Sequence, residues 1–368
     1  MQRSAAARPT APLALPADIA ALLQRFGLSL DTLLTDSNPK LNKGAAVARG
    51  AILHHLPARA LAAAVTPGTV APTAPRSYLA ALAALADREG VAALARRHNG
   101  CPWATAGCAA GCLNWAGHGG LSPAVAAARG RRTLAMLADP AAYGRAVLWA
   151  IARQWARAQA EGLPLAVRLR GTDEGPAIGW HRLALTITPA EAQAVARRFG
   201  LPLSPGDGVA HTLAAALSVP ITEGTLTLYD YSKAPLSGPL GLSAQRAAGW
   251  DVTASLAADR ATAAADAIAA LGGGFRLAVP VALAKGQALP RTLTIGRPEG
   301  PLNEHRFLTV PCVDGDATDH RWRDPAGVAV ILRTKRSRGA DAALAAPFSL
   351  APTGHPQALA DGVATLAW

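Results

Sequence analysis

Apolar residues recur along this chain with two different periods, and the alternation between them predicts its elements. At residues 18–26 they return every three or four positions and stop at Gly27, as in a short amphipathic helix with a left-handed cap. The same spacing fills residues 77–97, interrupted at Glu89-Gly90. Ser122-Pro123 and Asp139-Pro140 each place a capping side chain before a proline at the first helical position. The second opens a long helix through Trp149 and Trp155 to Glu161, ended by Gly162. Thr188-Pro189-Ala190-Glu191 fits a capping box for a helix that stops before Gly200. A further helix is predicted over 258–271, with Ser255 ahead of it as a cap and Gly272-Gly273-Gly274 behind it. Between these segments lie short continuous apolar runs, predicted as strands: 165–170, 226–231, 250–256, 275–283, 307–313 and 327–333.

Short apolar strands separated by helices imply parallel βαβ units, and strands apolar on both faces favour a barrel over a sandwich. The expected fold is α/β: a single (β/α) barrel or partial barrel with an irregular N-terminal extension. Residues 1–16, rich in Ala, Pro and Arg, read as a disordered arm. Residues 17–98 form the N-terminal extension with helices, 99–340 the barrel-like domain, and 341–368 a C-terminal tail. Residues 36–44 and 66–75 are loops by their turn formers. No internal repeat is detectable.

Composition changes this picture little. The hydrophobic fraction of 51% is inflated by alanine, and no run approaches the roughly 18 to 20 apolar residues of a membrane helix. The N-terminal apolar run is broken by Pro12 and Pro16, which argues against a secretory signal and makes the cytoplasm the expected compartment. The net charge of +12 favours an anionic partner, nucleic acid or a nucleotide. Yet 31 of the 36 basic residues are arginine, and with the alanine excess a GC-rich coding sequence would give the same balance. The densest basic run, residues 333–338, follows a predicted strand and reads as a solvated strand end before it reads as a phosphate site.

The candidate chemistry lies in one loop. Three of the four cysteines, Cys101, Cys108 and Cys112, fall within twelve residues, with Ala109, Ala110 and Gly111 between the last two. In a reducing compartment such clustering points to a metal centre, and thiolates suit iron–sulfur clusters or zinc. Small residues let backbone amides approach the sulfurs. Two centres are open: a [4Fe–4S] cluster on three thiolates with one iron free, or a closed zinc site completed by His98 or His118. Cys312 stands alone in an apolar strand and is expected in the core.

Several blocks together carry a resemblance. Residues 34–40 (Leu-Thr-Asp-Ser-Asn-Pro-Lys), 101–108 (Cys-Pro-Trp-Ala-Thr-Ala-Gly-Cys), Tyr229-Asp230-Tyr231-Ser232-Lys233 and Val313-Asp314-Gly315-Asp316 occur in this order. They resemble the gene product 88 family of phages and prophages, over most of residues 33–338. That family favours Asn-Gly-Thr-Ser-Asp where this chain has Arg170-Gly171-Thr172-Asp173-Glu174, and residues 77–97 and 176–224 look like additions. More distantly, the chain resembles radical S-adenosylmethionine enzymes. These carry a three-cysteine loop early in a partial barrel, a later strand with a Gly-Gly-Glu-Pro-like end and another with a Ser-Leu-Asp-like end. Here the cysteine loop is followed by residues 167–174 and then by residues 251–256, although the cysteines are spaced six and three residues apart where that superfamily usually has three and two. The resemblance implies a cluster whose open iron holds S-adenosylmethionine, with Gly171, Thr172, Asp173, Glu174 and Ser255 around the cofactor and a reductant protein as partner. Nucleotide or nucleic-acid modification is the setting it suggests; a zinc-stabilised nucleic-acid-binding protein is the alternative.

Two further groups are candidates. Asp230, at the end of an apolar strand, needs a partner if buried, so it is either a catalytic residue or half of a pair with Lys233. Asp314, Asp316, Asp319, His320 and Asp324 form the densest acidic cluster, either a Mg²⁺ or Ca²⁺ site or ordinary Asp/Gly turns. His54-His55 reads as a strand end. No catalytic Ser/His/Asp order or phosphate-cradling glycine loop is present.

Overall fold

In the computed structural model of the chain, helices begin and end where the sequence supplies caps. Residues 14–36, 41, 43–57, 59–66, 76–110, 112, 122–205, 209–284, 286–299, 304–334 and 349–368 are described. The helix Ala17–Arg25 is followed by Gly27 at φ 59°. Ser122 accepts the Val125 N–H at the start of Pro123–Ala138, and Asp139 accepts that of Ala142 at the start of Pro140–Glu161. The latter stops at Gly162 in the left-handed region. Thr188 accepts the Glu191 N–H to begin Pro189–Phe199. The other half of the expected capping box is not made. The Glu191 carboxylate instead accepts hydrogen bonds from Arg145 and from the Trp149 indole (Nε1 to Oε1 2.8 Å), tying two helices together through a buried charge.

The strands are β1 (Leu34–Thr35), β2 (Arg49–Leu53), β3 (Leu165–Arg168), β4 (Leu226–Ser232), β5 (Asp251–Ser255), β6 (Arg276–Val281), β7 (Thr292–Glu299), β8 (Glu304–Asp314), β9 (Ala329–Arg333), β10 (Gln357–Leu359) and β11 (Gly362–Ala367). They form one mixed sheet in the order β1-β2-β3-β4-β5-β6-β9-β8-β7-β11-β10. From β2 through β6 to β9 each strand pairs in parallel with the next parallel strand in the chain. The hairpin β7–β8 is inserted before β9, and β8 also runs parallel to β9. Antiparallel strands finish both edges. The fold is thus mixed α/β with a single open sheet, and a closed barrel is not formed: β1 and β10 are the two ends of the order among the described residues.

Three expectations are revised. The first parallel strand, β2, lies inside the stretch read as an N-terminal extension, directly before His54-His55. The stretch read as a tail supplies β10 and β11. The helix expected over 258–271 begins at Ala263, so Ser255 does not cap it; the carboxylate of Asp361, from the turn between β10 and β11, accepts the Ala264 and Ala265 N–H groups. The main core lies between the sheet and the helices, where Pro140–Glu161 buries Tyr143, Val147, Trp149 and Ile151. On the opposite face Trp322, from the segment after β8, packs against Ala48, Ala166 and Tyr229.

Candidate functional site

The parallel strands aim their carboxyl ends at one place, and the cysteine loop lies across it. From β2 the chain continues into His54 and His55; from β3 it enters Arg170 to Glu174; from β4 it leaves through Ser232 and Lys233; from β5 it passes Ser255 toward Asp259 and Arg260. The loop is fixed on two sides. On the β3 side, the Glu174 N–H donates to the Gly100 carbonyl at 2.6 Å and the Cys101 thiol to the Thr172 carbonyl at 3.9 Å. Thr172 in turn donates its hydroxyl to the His55 carbonyl, and the Gly171 N–H donates to Leu53. On the β5 side, Asp259 accepts the Thr105 hydroxyl (2.6 Å) and the Gly107 N–H (2.9 Å) at the head of the short helix Ala106–Ala110. Beside it, Arg260 donates to the Trp103 carbonyl at 2.6 Å and to the Lys233 carbonyl at 2.7 Å.

Two of the three thiols share a neighbour. Burial pulls the Lys233 ammonium down, but Cys108, which it hydrogen-bonds, together with Glu174 and Cys101, more than offsets this and holds it above its ordinary value. Cys112 is an electrostatic neighbour of Arg129 on Pro123–Ala138. The donor chemistry suits a thiophilic centre. The positions suit it only in part: among the described residues no group of three or more His, Cys, Asp or Glu side chains is arranged to hold a metal ion. His98, a proposed fourth ligand, is buried and has Asp173 and His55 as its electrostatic neighbours rather than the thiols; burial keeps it below its ordinary value although Asp173 opposes this. His118 lies outside the described residues.

The post-β3 turn is occupied with holding the mouth together. Glu174 accepts the Lys233 N–H at 3.0 Å and the Ser232 hydroxyl at 2.9 Å, and pairs with Arg170 at 3.3 Å. Asp173, buried, stands 3.3 Å from Nδ1 of the equally buried His55, whose Nε2 meets the Tyr143 hydroxyl at 3.0 Å. Ser255 ends β5 beside a small cleft that also touches Ser232, Lys233 and Arg260.

Asp230 is not Lys233's partner. Its carboxylate, fully buried, lies 3.2 Å from Arg170 Nε and 3.8 Å from Arg168 Nε, and accepts the Arg170 N–H at 2.9 Å. Burial still wins over the two arginines and raises its pKa to about 6. The acidic cluster after β8 divides among separate partners. Asp319 accepts the hydroxyls of Tyr229 (3.0 Å) and Tyr231 (3.4 Å) and pairs with Arg168, Asp324 pairs with Arg321, and Asp314 and Asp316 face Arg333. Cys312 packs against the core as expected, its thiol pushed up to about 12 by burial.

Asp259 and Arg260, which the sequence reading placed inside a helix, are the site residues it missed; their partners are about 150 residues away and no local pattern marks them. No helix among the described residues is long and apolar enough to cross a membrane. No curated protein and no solved structure matches the chain. The blocks that carried the resemblance nonetheless belong to a continuous match to gene product 88 over residues 34–346, and on that extent the chain belongs to the gene product 88 family.

Proposed function

We propose that the carboxyl ends of β2 to β5 form the active-site mouth of a partial (β/α) barrel, and that Cys101, Cys108 and Cys112 hold an iron–sulfur cluster there. In this reading the chain is a divergent relative of radical S-adenosylmethionine enzymes. One observation carries it: the cysteine loop is clamped over the strand ends by Glu174 on one side and by Asp259 and Arg260 on the other, which is where barrel enzymes keep their chemistry. The chain-order run of parallel strands agrees with a partial barrel. Cys101, Cys108 and Cys112 would hold the cluster, which would supply a binding place for the cofactor and one-electron reduction of it.

This chain's own residues have simpler tasks. Lys233 hydrogen-bonds Cys108 and places a positive charge beside both Cys108 and Cys101. Asp259 and Arg260 fix the loop between Trp103 and Gly107, the stretch that joins Cys101 to Cys108. For three thiolates to share one centre, the three sulfurs must draw closer together than they stand, since no such group is arranged among the described residues. The reading also includes a reducing cytoplasmic setting, an external reductant protein and a nucleotide or nucleic-acid substrate, the last supported by the net charge of +12.

Anaerobic reconstitution with iron and sulfide, with metal analysis and a visible spectrum, tests it. A brown protein with about four irons per chain, releasing 5′-deoxyadenosine from S-adenosylmethionine under dithionite, is the expected result. Replacing any one of the three cysteines by alanine should abolish the release. A colourless protein with stoichiometric zinc would overturn the enzyme and leave the alternative, a zinc-stabilised nucleic-acid-binding protein.

A further inference from the structure

Behind the turn that holds Cys101 lie three buried rings from three separate elements. His55 follows β2, Tyr143 belongs to the helix Pro140–Glu161, and Trp180 opens the short turn Trp180–Arg182. None is more than 2% exposed. Their ring centroids are 5.7 Å apart for His55 and Tyr143, 6.1 Å for His55 and Trp180, and 6.3 Å for Tyr143 and Trp180. The Tyr143 hydroxyl meets His55 Nε2 at 3.0 Å. With the phenol donating, a neutral His55 carries its own proton on Nδ1, 3.3 Å from the Asp173 carboxylate. The other three tyrosines are placed differently: Tyr78 donates to the Ala126 carbonyl, and Tyr229 and Tyr231 to Asp319, which is already paired with Arg168. Tyr143 alone has an imidazole as its acceptor. The Trp180 indole N–H, by contrast, has no acceptor among the described residues.

The rings are joined to the cysteine loop. The Cys101 thiol donates to the Thr172 carbonyl, and the Thr172 hydroxyl donates to the His55 carbonyl. Gly175, next to the Glu174 clamp, lies against the indole; a Cβ there would sit 2.5 Å from Trp180 Cδ1.

We propose that Tyr143 is a redox-active tyrosine, oxidised by one electron through Trp180, with His55 taking its phenolic proton. The electron passes to a thiyl radical in the cysteine loop, which becomes a thiolate. The O–H bond of Tyr143 breaks, a neutral phenoxyl radical remains, and the proton stays on His55 Nε2, facing Asp173 through Nδ1. An oxidised phenol is a strong acid, and a bare radical cation in a buried site is costly, so oxidation needs a base in hydrogen-bond contact. The indole has no such base; it keeps its proton and carries the hole only in passing. Exclusion of water then protects the radical from side reactions. The inference goes beyond the proposed function and requires no cluster.

The full chain, without added metal, is oxidised by photogenerated tris(bipyridine)ruthenium(III), and radicals are followed by transient absorption and by electron paramagnetic resonance after freeze-quenching. A neutral tyrosyl radical is expected in the natural chain and absent from Tyr143→Phe, which deletes only a hydroxyl. Trp180→Phe should form it severalfold more slowly. His55→Gln keeps an acceptor but no base, and should slow it by roughly a hundredfold, the lower end of what a positioned base contributes. Heavy water should slow it in the natural chain; if His55→Gln fails to fold, that isotope effect and Tyr143→Phe decide. No tyrosyl signal in the natural chain, the same signal in Tyr143→Phe, or an unaltered rate in a folded His55→Gln would overturn the inference. A tyrosyl radical in a protein that never assembles a cluster would retain the relay and remove the proposed chemistry; a cluster with no tyrosyl radical would do the reverse.

Discussion

Asp230 offers the sharpest check on how the buried charges are balanced. The carboxyl is fully buried, and its pKa of about 6 stands above the ordinary 3.8 because desolvation exceeds the attraction of Arg170 and Arg168. That difference is worth about 3 kcal/mol in favour of the neutral form. A carboxyl raised on folding contributes stability that is fully present below its unfolded value and is lost as pH rises through the folded one, here from 3.8 toward 6. Asp230→Asn mimics the neutral form in nearly the same volume and has no titration in that window. Urea unfolding of both proteins across pH then isolates the residue, since every other group titrates in both. Relative to Asp230→Asn, the natural chain should lose about 3 kcal/mol between about pH 4 and pH 7 and change no further above that. A difference that stays flat with pH, or a natural chain that gains stability as pH rises, would refute the reasoning: it would mean that the two guanidinium groups balance or outweigh burial.

Other consequences are simpler to state. Asp259→Ala removes the acceptor for the Thr105 hydroxyl and the Gly107 N–H, charge-assisted bonds worth about 1.5–3 kcal/mol each, so the cysteine loop should open locally. Iodoacetamide should then alkylate Cys108 severalfold faster while the Tm moves little; an unchanged rate would show that the clamp is idle. Gly171→Ala would put a Cβ 2.4 Å from His54 Nδ1 and 2.6 Å from Ile52 Cγ2, and overpacking of that kind costs about 1–3 kcal/mol. Denaturant midpoints should fall accordingly, and a neutral result would show that His54 can swing away freely.

Local chemistry made much of this molecule legible in its sequence. Ser122, Asp139 and Thr188 announce their helices because a cap needs only the next three residues, and each accepts the N–H its position requires. The apolar runs mark β3, β4, β5, β6, β8 and β9 because strands buried on both faces need no alternation. What stayed hidden depends on distant partners. Glu191 forgoes its box because Arg145 and Trp149, more than 40 residues earlier, offer its carboxylate buried N–H donors. Asp230 takes arginines from β3 and the turn after it, although Lys233 stands three residues away. The hairpin β10–β11 did leave a sign: Asp361-Gly362 sits between two short apolar runs, the usual mark of a tight turn. Cys101, Cys108 and Cys112 were legible as a cluster in sequence, but the nearness of Cys112 to Arg129 depends on a helix that follows the loop.

The pairing of β2 with β3 has a consequence for how the chain assembles. Arg49 meets Leu165, so this one joint spans more than a hundred residues, whereas β4 reaches β5 across about twenty. Closing the longer span costs about 1.5 kcal/mol more in chain entropy, and contacts of that separation form late. Strands from β3 onward can therefore zip together as neighbours while the first strand and everything threaded behind it still wander. The cysteine segment belongs to that wandering stretch. Its sulfurs remain open to the surrounding solution until the last seam of the sheet is sewn.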